Sequence, residues 1–137
     1  MKTRIRLSAL ILFLFMTTAY ASAQDCLSYD TDNVALKGTI SKKTFPGPPN
    51  YESIKKGDKP ETYWVLHLAK PICTAASADS DAEKEITDLQ LTLTGKQYAL
   101  YKKFVGGKLR VTVTGKLSHA ITGHHHTPVL MEVTGIN

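Results

Sequence analysis

Apolar and polar residues alternate along five separate stretches of the chain, and this alternation constrains the fold more than any other feature. A period of two residues is typical of a β-strand with one buried face. The five predicted strands begin near Val34, Tyr63, Ile86, Leu109 and Pro128. The first and fourth strands contain Gly38 and Gly115, and a glycine inside a strand indicates a bulge or a bend.

A single stretch with helical spacing follows the third strand. Thr94-Gly95-Lys96-Gln97 has the form of a capping box, and apolar residues then recur every three or four positions until Gly106-Gly107. Three strands, a helix and two strands is the order of an OB-fold, a five-stranded Greek-key barrel. We therefore predict a mainly β protein with one short helix and an OB-fold-like barrel. An open α+β sheet is the alternative.

The first 23 residues do not belong to this pattern. Lys2, Arg4 and Arg6 precede an uncharged run over 7–20, and Ala21-Ser22-Ala23 supplies small residues for cleavage. The run is too short to span a bilayer comfortably, so we predict a signal peptide at 1–23 and a single domain over 24–137. An uncleaved anchor is the alternative. The expected product is periplasmic or secreted, without stable membrane insertion.

Charge and cysteine content follow from that prediction. Residues 24–137 carry 14 Lys and Arg against 12 Asp and Glu, a net charge of +2, so no nucleic-acid partner is expected. Two cysteines in an exported chain predict a disulfide between Cys26 and Cys73. A metal pair or two free thiols are the alternatives. The end of an antiparallel second strand lies beside the start of the first, which agrees with the predicted bridge.

Two loops contain the candidate site. A proline-rich loop over 45–62 joins the first two strands, and Thr122-Gly123-His124-His125-His126-Thr127 joins the last two. In an OB-fold both loops lie near one binding face. The candidate ligand-binding residues are Phe45, Tyr51, Lys55, Lys56, His119, His124, His125 and His126. The Ala-, Ser- and Asp-rich segment over 74–85 is interpreted as a solvated linker.

The histidines allow three interpretations. His119, His124 and His126 are candidate ligands for Zn, Cu or Ni, with Glu132 or water completing the set, although no established metal-binding spacing is present. Alternatively, Gly123 makes the turn and the histidines hydrogen-bond within the loop. A response to external pH is the third, because free imidazoles titrate near pH 6.5.

Phe45 and Tyr51 also have two interpretations, a platform for a peptide, glycan or partner protein, or a cover over the barrel end. His67 is interpreted as a packed or rim residue. The sequence contains no G-x-S-x-G motif and no phosphate-binding glycine loop, and Asp79 and Asp81 lie in the linker, so an enzyme is not the expectation.

Several stretches resemble a family of small exported bacterial proteins known as a domain of unknown function (DUF4431). They are Lys43-Thr44-Phe45-Pro46-Gly47-Pro48-Pro49-Asn50-Tyr51-Glu52-Ser53, Glu61-Thr62-Tyr63-Trp64, Pro71-Ile72-Cys73 and Thr122-Gly123-His124-His125-His126-Thr127-Pro128-Val129-Leu130. The resemblance covers nearly all of 24–137. It implies a bacterial envelope or secreted setting and names no activity or ligand.

From these observations we predict an exported binding or interaction module with its ligand surface at 45–56 and 119–127. The expected partner is an envelope protein, a peptide or a glycan, and no cofactor is expected. A transition-metal-binding protein that uses the histidines and an envelope hydrolase are the alternatives.

Overall fold

A computed structural model describes residues 25–29 and 33–137, so the predicted signal peptide lies outside the described residues. The elements are β1 (Val34–Pro46), β2 (Pro60–Thr74), β3 (Glu83–Thr92), α1 (Gly95–Tyr101), β4 (Arg110–His119) and β5 (Val129–Ile136), with 3-10 turns at Ile54–Lys56 and Lys102–Phe104. Among the residues described, no helix is long and apolar enough to cross a membrane.

The five strands close into a barrel in the order β1-β2-β3-β5-β4, and β4 pairs with β1. All pairs are antiparallel except β3 with β5. This confirms the predicted OB-fold-like barrel, and the open sheet was wrong because the barrel is closed.

The barrel interior takes the residues whose alternation predicted the strands. Ile40, Leu66 and Leu89 are fully buried on neighbouring strands. Trp64 also lies in this core, and the ring of Tyr98 from α1 packs edge-on against it at 4.9 Å between centroids. The helix therefore packs against the barrel core through an aromatic contact.

The predicted capping box at the start of α1 is present. The Thr94 hydroxyl accepts from the Gln97 amide, and the Gln97 side chain accepts from the Thr94 amide. The α-helix ends at Tyr101, earlier than predicted, and a 3-10 turn follows. The chain then meets β1, where the amides of Gly106 and Gly107 both donate to the Ile40 carbonyl at 2.9 Å.

The hairpin between β1 and β2 is longer than predicted. Pairing continues to Phe45 opposite Glu61 and Pro46 opposite Pro60, which leaves a connecting loop over 47–59. Gly38 lies where a Cβ would collide with the backbone of His67, so the glycine permits the close approach of β1 and β2. The extension matters for the site because it fixes Glu61 beside Phe45.

The predicted disulfide between Cys26 and Cys73 is present, which rules out the free-thiol and metal-pair alternatives for these residues. The Leu27 amide donates to the Cys73 carbonyl at 2.9 Å, and the hydroxyls of Tyr29 and Thr74 lie 2.8 Å apart in a buried position. Residues 26–29 are thus fixed beside the end of β2, as the topology predicted.

Candidate functional site

The loop over 47–59 is organised around one buried carboxylate. Asp58 accepts from the amides of Asn50, Glu52 and Ser53 at 2.9, 2.8 and 2.7 Å. The hydrogen bond from Ser53, with those from Asn50 and Glu52, holds the pKa of Asp58 below its ordinary value despite burial. The loop is therefore folded around its own charge, and it carries Tyr51 in a left-handed conformation with φ of 59°.

The connection between β4 and β5, residues 120–128, is called the His loop below. Gln90 of β3 fixes it, because its side chain accepts from the His126 amide at 2.8 Å and donates to the His124 carbonyl at 3.0 Å. The Gln90 backbone amide also donates to the Thr127 hydroxyl at 2.8 Å. These three bonds attach His124, His126 and Thr127 of the His loop to β3.

Gln90 points out of the barrel, as the alternation predicted, but it is only 3% exposed. Val65 and Leu130 pair with it on the neighbouring strands, and they too are buried although they lie outside the main core cluster. Gln90 is buried on this outer side because the His loop covers it.

A chain of hydrogen bonds joins the two loops. The Tyr51 hydroxyl lies 3.1 Å from His124 Nε2, and His124 Nδ1 lies 2.8 Å from Glu61 Oε2. Because a carboxylate only accepts, Nδ1 carries the proton of neutral His124 and Nε2 accepts from Tyr51. The Tyr63 hydroxyl donates to the same Glu61 oxygen at 3.1 Å. The hydrogen bond from His124 is the main reason that the pKa of Glu61 lies below its ordinary value.

His126 also lies beside Glu61, and its side chain is more buried than that of His124. Its ring stacks on Phe45 at 4.3 Å with the planes 1° apart, and Tyr63 packs against it at 5.5 Å. The side chain is 10% exposed, and burial lowers the pKa of its imidazole. Its Nε2 is buried without a hydrogen-bond partner among the described residues, and the closest Glu61 oxygen, at 3.8 Å, is too distant to accept.

We call this group the histidine cluster, defined by Phe45, Tyr51, Glu61, Tyr63, His124 and His126. It brings together four of the predicted candidates, Phe45, Tyr51, His124 and His126, so the two loops do meet on one face. Phe45 stacks on His126 and Tyr51 packs edge-on against His124, so both aromatic residues are part of the cluster.

The other four candidates lie elsewhere. Lys55 and Lys56 are exposed on the 3-10 turn, and the His125 imidazole accepts from the Ile121 amide at 3.0 Å within the His loop. His119 packs edge-on against Tyr29 at 5.8 Å.

Gly123 lies in the predicted turn, which the His125 amide closes by donating to the Thr122 carbonyl at 3.1 Å. It does not adopt a left-handed conformation, and a Cβ there would lie 3.0 Å from the Tyr51 ring, so the glycine also makes room for that ring. Glu132 is exposed on β5. Across residues 25–29 and 33–137, no three His, Cys, Asp or Glu residues are grouped to hold a metal ion.

A second polar network, which the sequence analysis did not identify, lies on the outer face of β1, β2 and β3. Ser41 Oγ lies 2.6 Å from His67 Nε2, and His67 Nδ1 lies 2.7 Å from Asp88 Oδ1. Lys43 donates to the other Asp88 oxygen at 2.7 Å. Burial alone would raise the pKa of Asp88, but the bonds from Lys43 and His67 hold it below its ordinary value.

Sequence reasoning missed Glu61, Tyr63 and Gln90 as well as this network. Glu61 precedes the predicted second strand and Tyr63 begins it, and only the pairing register places Glu61 opposite Phe45. Gln90 was recognisable only as a polar residue among leucines.

No curated protein matches the chain. The family match begins within β3 and contains α1, β4, the His loop and β5. It includes Gln90, His124 and His126 but not the strands that supply Phe45 and Glu61. A family model described as a domain of unknown function (DUF4431) matches residues 88–137, which supports the resemblance over that part of the chain.

Proposed function

We propose that the protein is an exported binding module whose ligand contacts the histidine cluster. The observation that carries the proposal is the buried His126 Nε2, which has no hydrogen-bond partner in the described part of the chain. A buried polar atom without a hydrogen bond costs about 1–3 kcal/mol. A ligand that satisfies this atom would recover part of that cost on binding.

The surroundings of His126 suit a ligand with both apolar and hydrogen-bonding groups. Phe45 and Tyr63 supply ring faces, whereas Glu61 and Tyr51 supply a carboxylate and a hydroxyl. OB-fold barrels bind oligosaccharides and oligonucleotides on this face. The Glu61 carboxylate disfavours phosphates, so a peptide, a glycan or a partner protein of the cell envelope fits better.

The test follows the imidazole resonances of the purified mature protein by nitrogen NMR. Chitotetraose, a muramyl peptide and the sugar-free peptide are added in turn, with Phe45→Ala as the variant and His125→Ala as the control, because the His125 imidazole bonds within the His loop. We expect a saturable shift at His126 with one probe, lost in Phe45→Ala and retained in His125→Ala. A hydrogen-bonded Nε2 in the free protein, or no change at His126 with any of the probes, would overturn the proposal.

Transition-metal binding is the second candidate, favoured by one observation. His124 Nδ1 and His126 Nε2 approach the same Glu61 oxygen, at 2.8 and 3.8 Å, although the three side chains as described are not arranged to hold an ion. An ion would have to replace the bond between His124 and Glu61. In thermal melts with Zn, Cu or Ni ions, a hundredfold excess over the dissociation constant should stabilise the protein by about 2.7 kcal/mol. Stabilisation should disappear in His124→Ala and persist in His119→Ala; no stabilisation with any ion contradicts this candidate.

A further inference from the structure

We propose that Ser41, His67 and Asp88 form a catalytic group in which Ser41 is a nucleophile toward activated acyl esters. This activity goes beyond ligand binding at the histidine cluster and uses none of its residues. Two hydrogen bonds define the group, from Ser41 Oγ to His67 Nε2 at 2.6 Å and from His67 Nδ1 to Asp88 Oδ1 at 2.7 Å.

The sheet register explains why three residues so distant in sequence meet. His67 is directly opposite Asp88 on β3 and opposite Thr39 on β1, two residues before Ser41. Their chain neighbours Ile40, Leu66 and Leu89 are all buried in the barrel. Because side chains alternate along a strand, Ser41, His67 and Asp88 share the outer face.

Each atom has the role that nucleophilic catalysis requires. Asp88 is a carboxylate, so it accepts from His67 Nδ1 and leaves Nε2 of the neutral ring to accept from Ser41. Lys43 holds the second Asp88 oxygen at 2.7 Å, which fixes the carboxylate from the opposite side. His67 and Asp88 have 31% and 32% of their side-chain surface exposed, so a substrate can reach the group.

The chemistry balances without a cofactor. Ser41 Oγ bonds to the ester carbonyl carbon while its proton passes to His67 Nε2. The bond to the leaving oxygen then breaks, and that oxygen takes the proton from His67. Water hydrolyses the acyl-Ser41 ester with His67 as the base again, which returns the free hydroxyl. Asp88 takes no proton and is a positioning residue.

Substrate reactivity follows from the surroundings. Backbone amides of a paired strand donate to the neighbouring strand, so they are not available as a pair of donors for the developing oxyanion. Lys43 is on the same face, two residues from Ser41, and supplies a positive charge there. We therefore expect reaction with aryl esters and not with amides.

The experiment treats the purified protein with p-nitrophenyl acetate and with a fluorophosphonate probe, and locates the modified residue by mass spectrometry. We expect modification at Ser41, loss in Ser41→Ala, and acylation about 10²–10⁴-fold slower in His67→Gln because general-base catalysis is worth that factor. Ser77→Ala is the matched control, since the Ser77 hydroxyl bonds to the Ser80 hydroxyl at 2.7 Å in an exposed turn. It should react as the unaltered protein does.

Asp88→Asn and Asp88→Glu together test the positioning role of the carboxylate. Without the carboxylate, His67 Nδ1 loses the acceptor that fixes its proton and its ring orientation, so the acylation rate should fall. Asp88→Glu, which restores a carboxylate acceptor, should recover part of that rate. If His67→Gln fails to fold, alkylation of Ser41→Cys across pH reports the same base. Modification elsewhere, or equal rates in Ser41→Ala or His67→Gln, would overturn the proposal and leave these bonds as a connection among three strands.

Discussion

Replacing Gln90 with alanine should release the His loop while the barrel stays folded. The change removes the acceptor of the His126 amide at 2.8 Å and the donor to the His124 carbonyl at 3.0 Å. Each buried group left unpaired costs about 1–3 kcal/mol, so the two together cost about 2–4 kcal/mol when water enters part of the space. The Gln90 backbone amide keeps its bond to Thr127, which limits the opening to 120–126.

Two measurements distinguish opening of the His loop from a loss of stability of the whole barrel. Urea unfolding followed by Trp64 fluorescence gives the free energy of unfolding, and hydrogen exchange gives the protection of the His126 amide. We expect both to fall in Gln90→Ala, whereas Leu91→Ala, a fully buried core residue, should cost about 2–5 kcal/mol and affect the whole barrel. An unchanged His126 amide and a loss below about 0.5 kcal/mol would refute the role of Gln90, since that is the size of a surface substitution.

Three further outcomes are expected. Cys73→Ser should lower the free energy of unfolding by about 3–4 kcal/mol in urea melts under oxidising conditions, and equal stability with the parent would contradict a structural bridge. Gly115→Ala should lower the melting temperature because its Cβ would collide with the Glu132 carbonyl, whereas Gly135→Ala, with open space, should not. Because the folded-state pKa of Glu61 lies below 4.5, its contribution to stability is present above that pH and is lost as pH falls through the lowered pKa. The melting temperature of the parent should therefore fall in that acidic range, and the melting temperature of Glu61→Gln should fall less there.

The fold could be predicted because each strand shows its buried face locally. Leu89 and Leu91 alternate with polar residues, and that pattern survives in the barrel. The same pattern does not reveal that Gln90 is buried, because a loop more than thirty residues away covers the outer face. Alternation reports which side of a strand a residue occupies, but not what a distant loop places over it.

The contacts within the site depend on register, which the sequence did not define. The position of Glu61 beside Phe45 required pairing to continue beyond the predicted strand ends. His67 meets Asp88 only because the irregularity in the pairing of β2 with β3 comes after His67 and not before it. One residue of slip would turn either side chain to the other face.

The two proposals concern one continuous surface, and this makes them jointly testable. Ser41 and Phe45 lie on the same face of β1 four residues apart, about 13 Å at the rise of a β-strand. A ligand of two or three sugar or peptide units held by Phe45 and His126 would reach Ser41. A probe that shifts His126 should therefore slow labelling of Ser41 by the fluorophosphonate, and Phe45→Ala should remove that protection without changing the labelling rate of the free protein. Labelling that stays fast while His126 is saturated would mean that the cluster and Ser41 serve separate ligands, because a shared ligand would have to cover both.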